Sequence, residues 1–277
     1  MDTAFRLAIE SQTMSINGHR DSISPEVRAR QTWPGAIVGY AVAYEAGHDT
    51  GEHAHERAQF MLSLGGVLTL RTETGAWVVP PGFAIWVPGG LAHRATAATE
   101  VNARFLYVTT GTSGLDPSEV QVVQAGGLLR ALVERVVELP EAYPDDGPET
   151  RLVAVLRDEL ARLEPAPLDL PLPRDRRALA VAEALIEDAG DERGIDDWGR
   201  VAGASGRTLA RLFQAETGFT FGQWRQRRRL LAALERLAAG EPVTTIALDL
   251  GYAGTSAFTA MFRRQLGAPP TRYLREG

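Results

Sequence analysis

The sequence predicts an α+β chain of two domains: an N-terminal all-β barrel followed by helices, and a C-terminal all-α module built from two helix-turn-helix units. Three observations carry this prediction. Short apolar runs separated by Gly, Pro and Thr turns fill residues 33–110, helical periodicity takes over from Ser118, and one helical unit occurs twice near the C-terminus.

Residues 1–30 read as an N-terminal arm. Apolar runs at 36–44, 60–70, 77–79, 84–87 and 104–108 then recur at strand spacing, which places the barrel domain at 31–115. Over 116–165 two helical stripes follow, Leu128, Leu129, Leu132, Val133, Val136 and Val137 in one and Leu152, Val153, Leu156, Leu160 and Leu163 in the other. These stripes are broader than one barrel wall requires, so this segment is read as a dimerisation element and the chain as a homodimer assembled through residues 1–163. Pro165, Pro167, Pro171 and Pro173 mark a semi-rigid linker over 166–174, and 175–277 is the helical module.

With 277 residues and 44% hydrophobic composition, the chain can fill two cores. The absence of Cys excludes disulfides, thiol catalysis and cysteine-held zinc, so any metal falls to His and to carboxylate or amide oxygens. The N-terminus has no basic region followed by an apolar run, and no stretch approaches the ~18 uninterrupted apolar residues of a membrane span. The expectation is a cytoplasmic protein without membrane contact. The net charge of −6 conceals an asymmetry: residues 174–277 carry 16 Arg against 13 acids, whereas residues 1–173 carry 13 Arg against 22. Positive charge is concentrated where phosphate contacts need it, as expected for a partner of double-stranded DNA.

The repeat is the most informative feature. At a shift of 49 residues Leu209 matches Phe258, Phe213 matches Phe262, Gly218 matches Gly267 and Trp224 matches Tyr273. Upstream, Gly199 and Gly203 match Ala247 and Gly251 at a shift of 48. Each copy reads as a short helix, a turn opened by Gly203 or Gly251, and a second helix N-capped by Ser205 or Thr255. Between the copies Thr220 can cap a helix that runs to a stop at Gly240, a rod of ~28 Å at ~1.5 Å per residue.

The stretch from Thr208 through Leu209, Ala210, Arg211, Leu212, Phe213 and Gln214 to Gly218, followed by Ile246-Ala247, Gly251-Tyr252, Ser256-Ala257-Phe258 and Phe262-Arg263, resembles the AraC/XylS family of bacterial regulators over about residues 176–275. The resemblance implies that Arg207, Ala210 and Arg211 face bases from the first DNA-reading helix and Thr255, Ser256 and Ala260 from the second; Ser205 and Arg263 are added as DNA contacts, and so are Arg225 and Arg228, whose run with Arg227 and Arg229 reads either as phosphate-binding or as a merely solvated helix face. Gly254 and Ala260 depart from the acidic or Asn residue and the Arg common in that family, so the second helix is expected to read fewer bases.

A second pattern lies in the barrel. Gly47, His53-Ala54-His55, Gln59 and Gly66 resemble the first cupin motif, and Gly82, Pro88-Gly89-Gly90 and His93 the second, with Gln59 where Glu is usual. That resemblance implies a double-stranded β-helix, or jelly-roll, barrel in which His53, His55, Gln59 and His93 hold one divalent ion. Three imidazoles and one oxygen suit Zn, Ni, Mn, Fe or Co, and loss of a carboxylate weakens the site. Alternatively, the imidazoles line the pocket of a small organic effector, with Met61, Trp77, Phe83 and Trp86 as candidate walls. The expected function is a sequence-specific transcription regulator controlled by a small-molecule effector or metal in the barrel, and not an enzyme. The competing reading is a cupin-type metalloenzyme, a dioxygenase or isomerase, but Glu45, Glu52, Glu56 and Arg57 near the motif stand at no diagnostic spacing for acid or base chemistry.

Overall fold

A computed structural model of the chain describes residues 25–97, 99–109, 111, 118–166 and 168–273. Most of the arm expected over 1–30 lies outside these residues; its last part forms helix α1 (Pro25–Gln31). Among the described residues nine strands follow: β1 (Ile37–Tyr44), β2 (Ala58–Gly65), β3 (Leu68–Thr72), β4 (Gly75–Val79), β5 (Phe83–Val87), β6 (Arg94–Ala97), β7 (Val101–Val108), β8 (Gln121–Gln124) and β9 (Asp169–Pro171). They form two sheets in the orders β1-β7-β2-β5-β8 and β6-β3-β4-β9, with each neighbouring pair antiparallel.

Alternation along each strand decides which side chains fill the barrel. On β5, Phe83, Ile85 and Val87 join Met61, Phe105 and Tyr107 in the interior core, whereas Ala84 and Trp86 join Phe60, Leu62 and Leu106 on the opposite face. Trp86 therefore does not wall an interior effector pocket: it stands one residue out of phase with Ile85 and packs beneath the helices outside the barrel. Met61 and Trp77 do belong to the interior core.

Two further expectations change. The barrel extends past residue 115, because β8 pairs with β5. The Pro-rich segment is not a free tether, because β9 hydrogen-bonds to β4 between Asp169 and Pro171; a three-residue edge strand accommodates proline at its end without losing a needed donor. Helices α2 (Gly127–Val136) and α3 (Pro148–Leu160) cover the outer face of the five-stranded sheet. Their stripe residues Leu129, Leu132, Val133, Val136, Leu156 and Leu160 are spent on this contact, in one core with Ile37, Phe60 and Trp86. What they leave uncovered is small, Leu128 at 58% and Val155 at 47% exposure.

The helical module comprises α4 (Arg176–Glu187), α5 (Ile195–Ala202), α6 (Gly206–Thr217), α7 (Phe221–Ala238), α8 (Val243–Asp249), α9 (Thr255–Leu266) and α10 (Pro270–Tyr273). It is held to the barrel through α7, which packs on β4 and β9. Trp224 Nε1 donates to Pro171 O at 2.8 Å, Arg227 reaches both the carbonyl (2.7 Å) and the carboxylate (2.5 Å) of Asp169, and Thr69 Oγ1 donates to Glu235 Oε1 at 3.3 Å. A cavity of about 390 Å³ remains between the four-stranded sheet and α7, lined by Thr69, Arg71, Val78, Leu170, Arg228 and Leu231 among others.

Candidate DNA-reading surface and candidate metal centre

The two helix-turn-helix units follow the repeat. In the first, Gly203 ends α5 in the left-handed region at φ 66°, and Ser205 caps α6 by accepting from Thr208 N at 3.1 Å. A Cβ at Gly199 would lie 2.7 Å from Ala204 O, so only a minimal residue lets the chain turn so closely against α5. In the second unit Gly251 takes the same left-handed geometry at φ 74°. The expected cap differs: Gly254 precedes α9 without a side-chain cap, and Thr255 is its first helical residue. Gly218 and Gly267 end α6 and α9 alike, at φ 76° and 75°.

The apolar residues four apart are fully buried, namely Leu209, Phe213, Ile246, Phe258 and Phe262. That leaves Arg207, Ala210 and Arg211 exposed on α6, and Ser256, Ala260 and Arg263 exposed on α9, with Thr255 half-buried. Arg207 and Arg211 have no hydrogen-bond or ion-pair partner among the described residues. Ser205 is occupied by capping, since its Oγ also lies 2.8 Å from Thr208 Oγ1. Helix α7, capped by Thr220 through a reciprocal bond with Gln223, runs 18 residues between the units.

The Arg run on α7 does something other than face phosphate. Arg228 donates to Ile186 O at 2.9 Å and lies 3.6 Å from Glu235, with its side chain 11% exposed. Arg229 donates to Ala189 O and Asp191 O, and Arg225 to Arg193 O at 2.9 Å. The last carbonyls of a helix have no partner within it and carry its negative dipole end, so cations at the end of α4 and in the loop beyond it satisfy a structural need. The phosphate role expected of Arg228 is thereby corrected, and Arg225 is committed to the same loop.

In the barrel the two motifs converge. His53 and His93 face each other through an antiparallel bridge, with N–O distances of 2.9 and 2.8 Å, and His55 enters from the same loop just before β2. One ligand atom from each of His53, His55 and His93 lies within 4.8 Å of the other two. Each Nδ1 is held by a backbone carbonyl two residues away: Gly51 O for His53 (3.0 Å), Arg57 O for His55 (2.8 Å) and Leu91 O for His93 (2.8 Å). An Nδ1–H donated to a carbonyl leaves Nε2 as a lone pair, so these contacts fix the tautomer and orientation that metal-ligating imidazoles adopt.

Gln59 completes the group. On β2 opposite Tyr107 of β7, it donates from Nε2 to Tyr107 Oη at 3.1 Å and places Oε1 3.1 Å from His55 Nε2. With Nδ1 of each imidazole facing a carbonyl, three Nε2 lone pairs converge beside the Gln59 amide, whose oxygen can join them, and this donor set fits a divalent ion. Burial drives two of the imidazoles toward the neutral form: His93 falls to about 4 through desolvation, with its imidazole neighbours adding to the effect, and His53 is lowered for the same leading reason. Glu45, Glu52 and Glu56 are exposed and do not join the cluster, and Arg57 is spent on the carbonyls of Trp33 and Gly35. Tyr107 is the residue that sequence spacing missed. Only strand register brings it beside Gln59, 48 positions away.

Residues 198–276 match the family model described as a helix-turn-helix domain, and residues 40–109 the one described as a cupin domain. The chain is 32% identical over 222 residues to the HTH-type transcriptional regulator NimR of Escherichia coli (strain K12), covering 80% of this chain and 81% of that protein. It is 37% identical over 103 residues to the HTH-type transcriptional regulator RipA of Corynebacterium glutamicum, covering 37% of this chain and 31% of RipA. Among solved structures, ToxT from Vibrio cholerae aligns over 87% of this chain and 99% of its own at 11% identity and a TM-score of 0.38.

Proposed function

The chain belongs to the AraC-type helix-turn-helix transcriptional regulators, and from that premise we propose that it reads an operator with Arg207, Ala210 and Arg211 of α6 and, more weakly, with Ser256, Ala260 and Arg263 of α9. The observation that carries the proposal is the exposed, unpartnered pair Arg207 and Arg211 on a helix whose other face is fully buried. Arg side chains presented this way suit bidentate contact with guanine edges in the major groove. The α7 rod of 18 residues spans ~27 Å at ~1.5 Å per residue, close to the ~34 Å of one DNA turn. The two reading helices then address successive grooves on one face.

Control resides in the barrel. His53, His55, His93 and the Gln59 oxygen hold one divalent ion, which when bound supplies a Lewis-acidic centre with open positions for an effector. Met61 and Trp77 belong to the interior that such an effector meets, and the buried Trp77 indole N–H has no partner among the described residues. The effect reaches the DNA-reading module through β4, β9 and α7, which share Trp224–Pro171 and Arg227–Asp169. The metalloenzyme reading draws no support from the site: among the described residues no carboxylate stands beside the imidazoles as acid or base. A cytoplasmic homodimer completes the proposal, with Leu128 and Val155 as the apolar residues α2 and α3 leave exposed.

Selection of duplexes from a random library, followed by anisotropy titrations of metal-stripped and metal-reloaded protein, tests this function. A selected sequence bound with altered affinity on reloading is the expected result. Failure to enrich any sequence contradicts operator recognition, and identical affinity in both forms contradicts control through the ion.

A further inference from the structure

We infer that the barrel site, once it holds its divalent ion, takes an anionic ligand, because three imidazoles and the Gln59 amide leave its donor set without negative charge. The inference rests on the metal reading above and names the effector's chemistry. Four donors converge, three imidazoles and one amide oxygen, and all are neutral in the ligating form. Among the described residues no Asp or Glu joins them. His55, His93 and Gln59 are buried at 6%, 2% and 3% exposure, and Tyr107 lies at 1%. A double positive charge placed in such surroundings is costly until a counter-charge reaches it. Where a carboxylate side chain would supply that charge from within, this chain supplies an amide. The compensation must then come from outside, and His53, the partly exposed member of the trio, marks the open side.

Tyr107 has a defined part in this. Its hydroxyl accepts from Gln59 Nε2 at 3.1 Å, and its ring stands edge-on to His55 at 5.4 Å between centroids. The contact anchors the Gln59 amide beside the trio, where its oxygen is within reach of the ion. Tyr107 is thus a positioning residue for a neutral oxygen donor, and the strand pairing Gln59 with Tyr107 fixes the geometry before any ion arrives.

The full chain, stripped with chelator and reloaded with Co²⁺, provides the test. Visible absorption of the bound Co²⁺ is followed during titration with acetate and, separately, with acetamide, which matches it in shape without the charge. Acetate is expected to shift the spectrum saturably and to lower the Kd for Co²⁺ several-fold, while acetamide at equal concentration leaves both unchanged. Gln59→Glu supplies the charge internally and is expected to bind Co²⁺ at least tenfold more tightly while losing the acetate response. Tyr107→Phe is expected to weaken Co²⁺ binding several-fold yet keep the preference for acetate. Stoichiometric Co²⁺ binding with acetate and acetamide acting alike overturns the inference, as does an undiminished acetate response in a folded Gln59→Glu chain. Absence of Co²⁺ binding overturns the metal reading itself and is a distinct result. If Gln59→Glu does not fold, the comparison of acetate with acetamide on the wild-type chain decides alone.

Discussion

Arg211 and Arg228 carry the same charge 17 positions apart, and their surroundings give them opposite roles. Arg211 is exposed and unpartnered, so Arg211→Ala is expected to cost about 1–3 kcal/mol at the selected operator and to relax base preference there, measured by anisotropy on matched and single-mismatch duplexes. Arg228 is buried against Ile186 O and Glu235, so Arg228→Ala is expected to lower unfolding stability by about 1–3 kcal/mol in urea and to leave the salt slope of DNA binding unchanged. A smaller salt slope with unchanged stability would return Arg228 to the phosphates. The histidines make a pH prediction. His93 sits at about 4 in the folded chain against ~6.5 when unfolded, so between those values the unfolded state binds the extra proton. Stability of metal-stripped protein is therefore full above about pH 6.5 and is lost as pH falls toward 4. Urea midpoints of wild type and His93→Gln across that window check it: the variant is expected to show the shallower decline, and parallel curves would contradict the assignment.

At the scale of elements, what sequence makes legible is local grammar. Gly203, Ser205, Gly218, Thr220, Gly251 and Gly267 each mark a turn or cap by chemistry that acts within four residues, and each does so in the structure. The exception, Thr255, misplaces a cap by one residue because Gly254 starts the helix without a side chain. The close turn at Gly199 yields a sharp prediction: Gly199→Val, which pushes a side chain into Ala204 O, is expected to destabilise the chain by about 1–3 kcal/mol and to abolish operator binding before barrel unfolding is detectable, followed by circular dichroism and anisotropy. Unchanged stability would show that α5 and the turn do not pack as described. Partners across sequence are where sequence falls silent. Trp86 looks like a pocket wall until strand alternation assigns it to the outer face, and Tyr107 looks like core until register sets it beside Gln59. The Arg run on α7 looks free for phosphates or solvent until the end of α4 arrives beneath it.

Over the whole molecule, the two-domain organisation and both motifs were readable, because repeat spacing and ligand spacing are properties of the chain itself. The junction was not readable: prolines at 165–173 suggest a tether, yet β9 joins the barrel sheet and α7 grips it through Trp224 and Arg227. Burial of the α2 and α3 stripes on their own barrel likewise depends on a tertiary surface invisible in sequence. A homodimer through these helices must use what remains, so sedimentation of the full chain at micromolar concentration is expected to show a dimer, and Leu128→Glu with Val155→Glu a monomer with unchanged near-ultraviolet dichroism. A wild-type monomer would contradict the assembly. Two helix-turn-helix units on a fixed rod are proposed to read successive grooves of one operator. Hydroxyl-radical footprinting on the selected duplex tests that most directly. Two protected segments on one face, about 10–10.5 base pairs apart for each chain bound, are predicted; one protected segment per chain, or protection that follows no sequence, would contradict it.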